Sequence, residues 1–128
     1  MTTQRATGKI NITRHDSKPI EEGQGSPVSL VSITEDFTGE MEGTGIANHL
    51  IVTASDGCLH FSGMERFTGK LAGRSGSFVF QNSGELRDGV LQSEWIVIPG
   101  SGTQDFAGLS GTGGCRSAEG YFFDYWFE

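Results

Sequence analysis

Apolar and polar residues alternate along most of this chain with a period of two, the signature of half-buried strands. The pattern is clearest from Cys58 to Leu71. Leu59, Phe61, Gly63, Glu65, Phe67, Gly69 and Leu71 fall on one face, and Cys58, His60, Ser62, Met64, Arg66, Thr68 and Lys70 fall on the other. Successive strand side chains point to opposite sides, so the first set is an inner face. Glu65 points in with it, and Arg66 points out. Gly63 and Gly69 leave space on either side of the carboxylate. The run Ala72-Gly73-Arg74-Ser75-Gly76 is a tight turn into a partner strand over Gly76 to Leu86, where Phe78 and Phe80 oppose Ser77, Val79 and Gln81 in parity.

The same reading extends along the chain. Thr7 to Thr13 is a strand with Ile10 and Ile12 on one face. Arg14 to Pro27 is polar and bounded by prolines, which predicts a long loop, with a helical turn over Pro19 to Glu22 and His15 and Asp16 as surface residues. From Val28 onward Val31, Ile33, Glu35 and Phe37 share one face, which places a second carboxylate on an apolar side, near the strand's end. Gly39 to Gly43 reverses the chain into a strand over Ile46 to Thr53, whose Leu50-Ile51-Val52 block leaves parity ambiguous. Ser55-Asp56-Gly57 is a hairpin turn of the Asp-Gly type. Arg87-Asp88-Gly89 turns the chain into Val90 to Ile98. Gly100 to Gly114 reads as a glycine-rich excursion anchored by Phe106 and Leu109, which would form a tight corner over one barrel end. The last strand, Tyr121 to Phe127, sets Tyr121, Phe123, Tyr125 and Phe127 against Phe122, Asp124 and Trp126.

Seven to eight strands in hairpin succession, with no convincing helix, predict an all-β fold. Short turns make sequential neighbours antiparallel. Closing such a meander removes its exposed edges. The expectation is a small antiparallel up-and-down β-barrel filling residues 1–128 as one domain, with a β-sandwich as the alternative. Twenty glycines against three prolines fit strongly curved strands.

The net charge of −7, with no basic stripe, argues against nucleic acid or anionic membrane as partners. The opening MTTQRATGKINITR has no apolar run, which suggests no signal peptide. No segment has the length of a membrane-spanning helix. Cys58 and Cys115 are then expected as free thiols in a cytoplasmic protein. Phe122 and Trp126 on the outer face suggest a homo-oligomer.

Little familiar chemistry is legible. Gly100-Ser101-Gly102-Thr103 lacks the following helix a phosphate-binding turn needs. His15, His49 and His60 have no elbow serine near them, no Cys-x-x-Cys is present, and no ligand spacing is apparent. No metal and no cofactor are expected. Glu65 is the sharper signal, because a buried glutamate must be paired, hydrogen-bonded or protonated. It is the candidate catalytic residue. As a purely structural group it would tie strands together through Arg66, Arg74 or Gln81. Glu35, Phe61, Phe67, Ser77, Gln81 and Tyr125 are the candidate ligand-binding residues. Core filling is the alternative role for the aromatics.

The stretches GMERFTGKLAGRSGSFVFQNSG, WIVIPGSGT and DFAGLSGTGG, with FTGEMEGTG and the closing YFFDYWF, resemble a bacterial family of unknown function, the family numbered 3224. The likeness runs from Ser29 onward. It implies the fold of the allene oxide cyclase-like barrels and no particular reaction. The matching motifs carry over Glu65, Arg66, Ser77, Gln81, Pro99, Ser101 and Thr103 as the family's polar or special positions. Asn82 stands where that family often has histidine, Gln104 where glycine is usual, and Cys115 where an aromatic is common.

Three readings follow. The barrel binds a small apolar molecule with Glu65 as polar anchor; it is a cyclase- or isomerase-like enzyme using an interior carboxylate; or it is a self-filled assembly module.

Overall fold

The computed structural model describes residues 2–20 and 25–128. Eight strands run in chain order around a closed barrel: β1 (Gln4–Pro19), β2 (Val28–Gly39), β3 (Met41–Thr53), β4 (Leu59–Leu71), β5 (Arg74–Arg87), β6 (Val90–Val97), β7 (Leu109–Arg116) and β8 (Gly120–Phe127). Every neighbour is antiparallel, and β1 pairs with both β2 and β8, which closes the sheet. The all-β up-and-down barrel expected from the alternation is therefore what forms, with eight strands. No helix among the described residues is long and apolar enough to cross a membrane.

The hairpin at the centre of the chain has the parity its sequence predicts. Glu65 and Phe67 are buried while Met64, Arg66 and Thr68 are exposed. Leu71 pairs with Arg74 across the two-residue turn Ala72-Gly73. Both turn residues have positive φ, 51° and 78°, the conformation whose twist matches that of the flanking strands.

Two expectations need correction, and one ambiguity resolves. The strand β1 continues through Arg14 to Pro19, where a loop was expected. Its register shifts between Ile12 and Arg14. Thr13 is thus an extra, bulged residue, and a bulge hides a strand from a strict period-two reading. Residues 21–24, and with them half of the expected helical turn, lie outside the described residues. In β3, which starts at Met41, the ambiguous parity resolves: Ala47 and His49 are buried, whereas Ile46 and Leu50 are 61% and 50% exposed. The glycine-rich excursion is half strand. Gly100–Gly108 holds a single 3-10 turn over Gln104–Phe106, and Leu109–Arg116 is β7. Glycine replaces side chains there because the facing β8 backbone and, beyond it, aromatic rings press on the strand. A Cβ at Gly111 would meet the Phe123 ring at 2.9 Å, and one at Gly113 would meet Trp95 at 3.2 Å.

The core occupies one end of the barrel. Phe37, Phe67, Phe78, Phe80, Trp95, Tyr121 and Phe123 form a continuous aromatic cluster, with Phe78 and Phe123 stacked at 5.5 Å and Phe80 tilted against Trp95 at 4.6 Å. Phe106 seals this end, edge-on to Phe78 at 5.3 Å. The segment carrying it is tied to β5 by side-chain oxygens. Ser101 Oγ accepts from the Val79 N–H at 3.0 Å, and Thr103 Oγ1 accepts from the Ser77 N–H at 3.0 Å. Burying rings of this size supplies about 2–3 kcal/mol each, so the closed end supplies much of the stability. On the outside, Phe122 is 40% exposed and the Arg5 guanidinium lies 4.9 Å from its ring centre.

Candidate functional site

The other end of the barrel is an open cup of about 490 Å³. The strand pattern explains why it is hollow. Travelling along β4 from the filled end, the inward residues are Phe67, Glu65, Gly63, Phe61 and Leu59; along β5 they are Phe80, Asn82, Gly84 and Leu86. Large rings stop at Phe67 and Phe80, and polar or small residues follow. Apolar residues then return at the wall: Ile33, Ile51, Phe61, Leu59, Leu86 and Leu91 all line the cup.

The floor between wall and aromatic core is polar. Glu35, His49, Asn82, Ser93 and Trp95 line it. Glu65 is 1% exposed and lies beneath them, outside the lining. His49 Nε2, Asn82 Oδ1, Trp95 Nε1 and both Glu65 carboxylate oxygens are buried without a hydrogen-bond partner. Buried polar groups in native proteins are nearly always satisfied. The three unpartnered atoms on His49, Asn82 and Trp95, all on residues that line the cup, mark a place built to meet something polar, while the Glu65 carboxyl lies behind them against Glu35 and Asn82.

The electrostatics follow from burial. Desolvation first, then the Glu35 carboxyl beside it, hold the Glu65 pKa well above the usual carboxylate range, while Asn82 pulls it the other way. Both causes favour the neutral acid form of Glu65. Among the described residues no cation pairs with it. Arg66 and Gln81 face outward, and Arg74 lies at the far end, 3.9 Å over the Phe127 ring and bonded to the Asp105 carbonyl. Burial also lowers the pKa of His49, whose ring stacks on Phe61 at 5.2 Å. The Cys115 thiol, also on the lining, is pushed up to about 11, mainly by burial.

The structure divides the sequence-derived site residues. Glu35 and Phe61 line the cup, with Glu65 directly behind. Phe67 and Tyr125 belong to the filled core. Ser77 bonds to Thr103 at 2.8 Å, and Gln81 lies on the exposed outer face. The bulge at Thr13 brings His15 opposite Ile33 and into the cup's lining, where a surface loop was expected. His49, Asn82, Ser93, Trp95 and Cys115 were not singled out as ligand-binding positions. For Asn82 the signal existed, since it shares parity with Phe78 and Phe80.

The family described as "Protein of unknown function (DUF3224)" matches residues 6–128. The chain belongs to the DUF3224 family. A solved DUF3224 protein of unknown function from Shewanella oneidensis MR-1 is 27% identical to this DUF3224 chain, with a TM-score of 0.80 and 99% of each chain covered. No curated protein matches. The DUF3224 assignment agrees with the family resemblance of the central motifs, and it supports the barrel without naming a ligand or a reaction.

Proposed function

We propose that this protein binds a small, mostly apolar molecule in the open cup, anchored at its polar end by the floor. The observation that carries this reading is the set of unpartnered polar atoms at the bottom of an apolar-walled cavity. Ligand pockets combine an apolar lining with a few convergent polar groups in this way. Trp95 Nε1–H offers a donor and Asn82 Oδ1 an acceptor, so a neutral group that both accepts and donates, such as a hydroxyl, suits the floor. Glu35 meets the occupant, and Glu65 supports it from behind.

The test uses a neutral environment-sensitive dye, N-phenyl-1-naphthylamine. Binding raises its emission, and a tryptophan placed in the cup by Leu86→Trp abolishes the rise. Dye emission that is absent, or equal in the two proteins, overturns the reading and leaves the assembly module in front.

A second reading adds chemistry to the same cup. Two neighbouring carboxyls, Glu35 lining the cavity and Glu65 behind it with its pKa raised by burial and then by Glu35, are an arrangement suited to general acid–base work. A cyclase- or isomerase-type rearrangement would need only that proton returned, with no cofactor or co-reactant. The allene oxide cyclase-like fold that the family resemblance implies is an analogy in its favour. Glu35→Gln that keeps dye affinity while abolishing turnover of a bound molecule is the expected result; unchanged turnover rejects it.

A further inference from the structure

On the outer face of the same barrel, Cys58, His60 and Glu85 bring three different metal-ligating groups together: Sγ, an imidazole nitrogen and a carboxylate oxygen, all within 4.8 Å of one another. We infer that this triad is a binding site for a borderline-soft divalent transition metal of the zinc class.

The register creates it. His60 and Glu85 are direct cross-strand partners of β4 and β5, so their side chains stand side by side. Cys58 precedes β4 by one residue, and its parity is that of His60. Its position is held by the hairpin turn, because Asp56 Oδ1 accepts the Cys58 N–H at 2.9 Å while Asp56 Oδ2 takes Arg87 at 3.2 Å. Glu85 divides its two oxygens. Oε1 faces Arg87 Nε at 3.7 Å, and Oε2 faces the Cys58 sulfur at 3.7 Å. Arg87 therefore orients the carboxylate from one side and leaves the oxygen nearest the thiol for a metal. Such supporting contacts are what hold first ligands in place at metal sites.

The donor set selects the ion. Thiolate and imidazole favour zinc-like metals over magnesium or calcium, which take oxygen ligands. Three protein ligands leave a fourth tetrahedral position. His60 is exposed while Cys58 is 2% exposed, so that position opens to solvent and the sulfur stays sheltered. On coordination the thiol proton leaves to solvent, and the metal–sulfur bond replaces the S–H bond.

The experiment is a titration of reduced, tag-free full-length protein with Co²⁺, followed by its visible d–d bands and its near-ultraviolet sulfur-to-cobalt charge-transfer band. One equivalent is expected to saturate both, and Zn²⁺ is expected to displace Co²⁺ and bleach them. Cys58→Ser removes the charge-transfer band, while Cys115→Ser keeps it. His60 is exposed, so His60→Ala leaves the fold intact and weakens Co²⁺ binding by roughly tenfold or more, as does Glu85→Gln. No charge-transfer band in the wild type, a band that survives Cys58→Ser, or unchanged affinity in both His60→Ala and Glu85→Gln overturns the assignment.

Discussion

Glu35 and Glu65 meet across a glycine. Strand β3 runs between their strands, and Gly45 of β3 is the direct partner of Glu35. A side chain at position 45 would occupy the place of Glu65 Oε2 and crowd the Phe37 ring at 2.8 Å. The missing Cβ is what lets Glu35 reach Glu65 from a strand that is not its neighbour and raise its pKa.

Gly45→Ala tests that relationship. The added methyl must displace the Glu65 carboxyl or the Phe37 ring, and overpacking a filled site costs about 1–3 kcal/mol. Urea denaturation should show a loss of that size. The double variant Gly45→Ala, Glu65→Ala should recover part of it, because the colliding carboxyl is gone. Wild-type stability in Gly45→Ala would show that the floor has slack and that the carboxyls are not held together by this gap.

Glu65→Gln isolates the buried acid. Its folded pKa is raised above the ordinary value of 4.5, so the folded state binds this proton more tightly than the unfolded chain. That contribution is fully present below the unfolded pKa and is lost as pH rises through the folded one. Wild type measured against Glu65→Gln should therefore lose relative stability as pH rises from 4.5. Urea midpoints of both proteins across pH provide the difference curve. A curve that is flat, or that rises, contradicts a protonated Glu65.

These residues also show how far the chain could be read. Glu65 inward, Arg66 outward and the Ala72-Gly73 turn are local facts, fixed by parity and turn chemistry, and they were legible. The partner of Glu65 was not, because Glu35 reaches it past Gly45 only after the sheet has curled and the register of β2, β3 and β4 is set. His15 was hidden by the single extra residue Thr13. The strand β7 was hidden because Gly111, Gly113 and Gly114 carry no alternation; they are glycines where neighbouring backbone and aromatic rings come close, rather than to form a loop. Cys58, His60 and Glu85 show no ligand spacing in sequence, since Glu85 arrives from the next strand. Phe67 and Tyr125 were legible as inward residues, but inward position alone did not separate the filled end from the open one.

Tyr121→Phe tests the tie between the β2–β3 turn and the last strand. The Tyr121 hydroxyl accepts from the Met41 N–H at 2.9 Å and donates to the Thr38 carbonyl at 2.8 Å. It thereby fastens the β2–β3 turn to β8, with Gly8 leaving room for the ring. Removing the hydroxyl leaves a buried backbone N–H unpaired, at a cost of about 1–3 kcal/mol. The expected sign in thermal denaturation is a lower midpoint with an unchanged fold by circular dichroism. An unchanged midpoint would mean that the N–H finds another acceptor.

Cys115 lines the cup, and its thiol is pushed from the ordinary 9.0 up to about 11. Thiolate is the reactive form, so at neutral pH its fraction falls by about a hundredfold, two pKa units' worth. In a Cys58→Ser background, alkylation by iodoacetamide should be slower than for a free cysteine by about that factor, and urea should abolish the difference. Rapid alkylation of the folded protein would contradict the apolar setting assigned to this side of the cup.

His49 sets the acid limit of the floor. Burial lowers its pKa below the ordinary 6.5, so the unfolded chain takes up this proton more readily than the folded one. Its contribution is present above 6.5 and is lost as pH falls through the folded pKa, the opposite direction to Glu65. His49→Phe keeps a ring against Phe61 and removes the unpartnered Nε2. Relative to that variant, wild type should lose stability on acidification below 6.5, as read from urea midpoints. The Cε1 proton of His49 followed by NMR in wild type should titrate below 6.5, and a cup-bound ligand that donates a hydrogen bond to Nε2 should lower it further, because that bond favours the neutral ring. Titration at or above 6.5 would show water reaching the floor freely and would remove the desolvation on which the polar anchor depends.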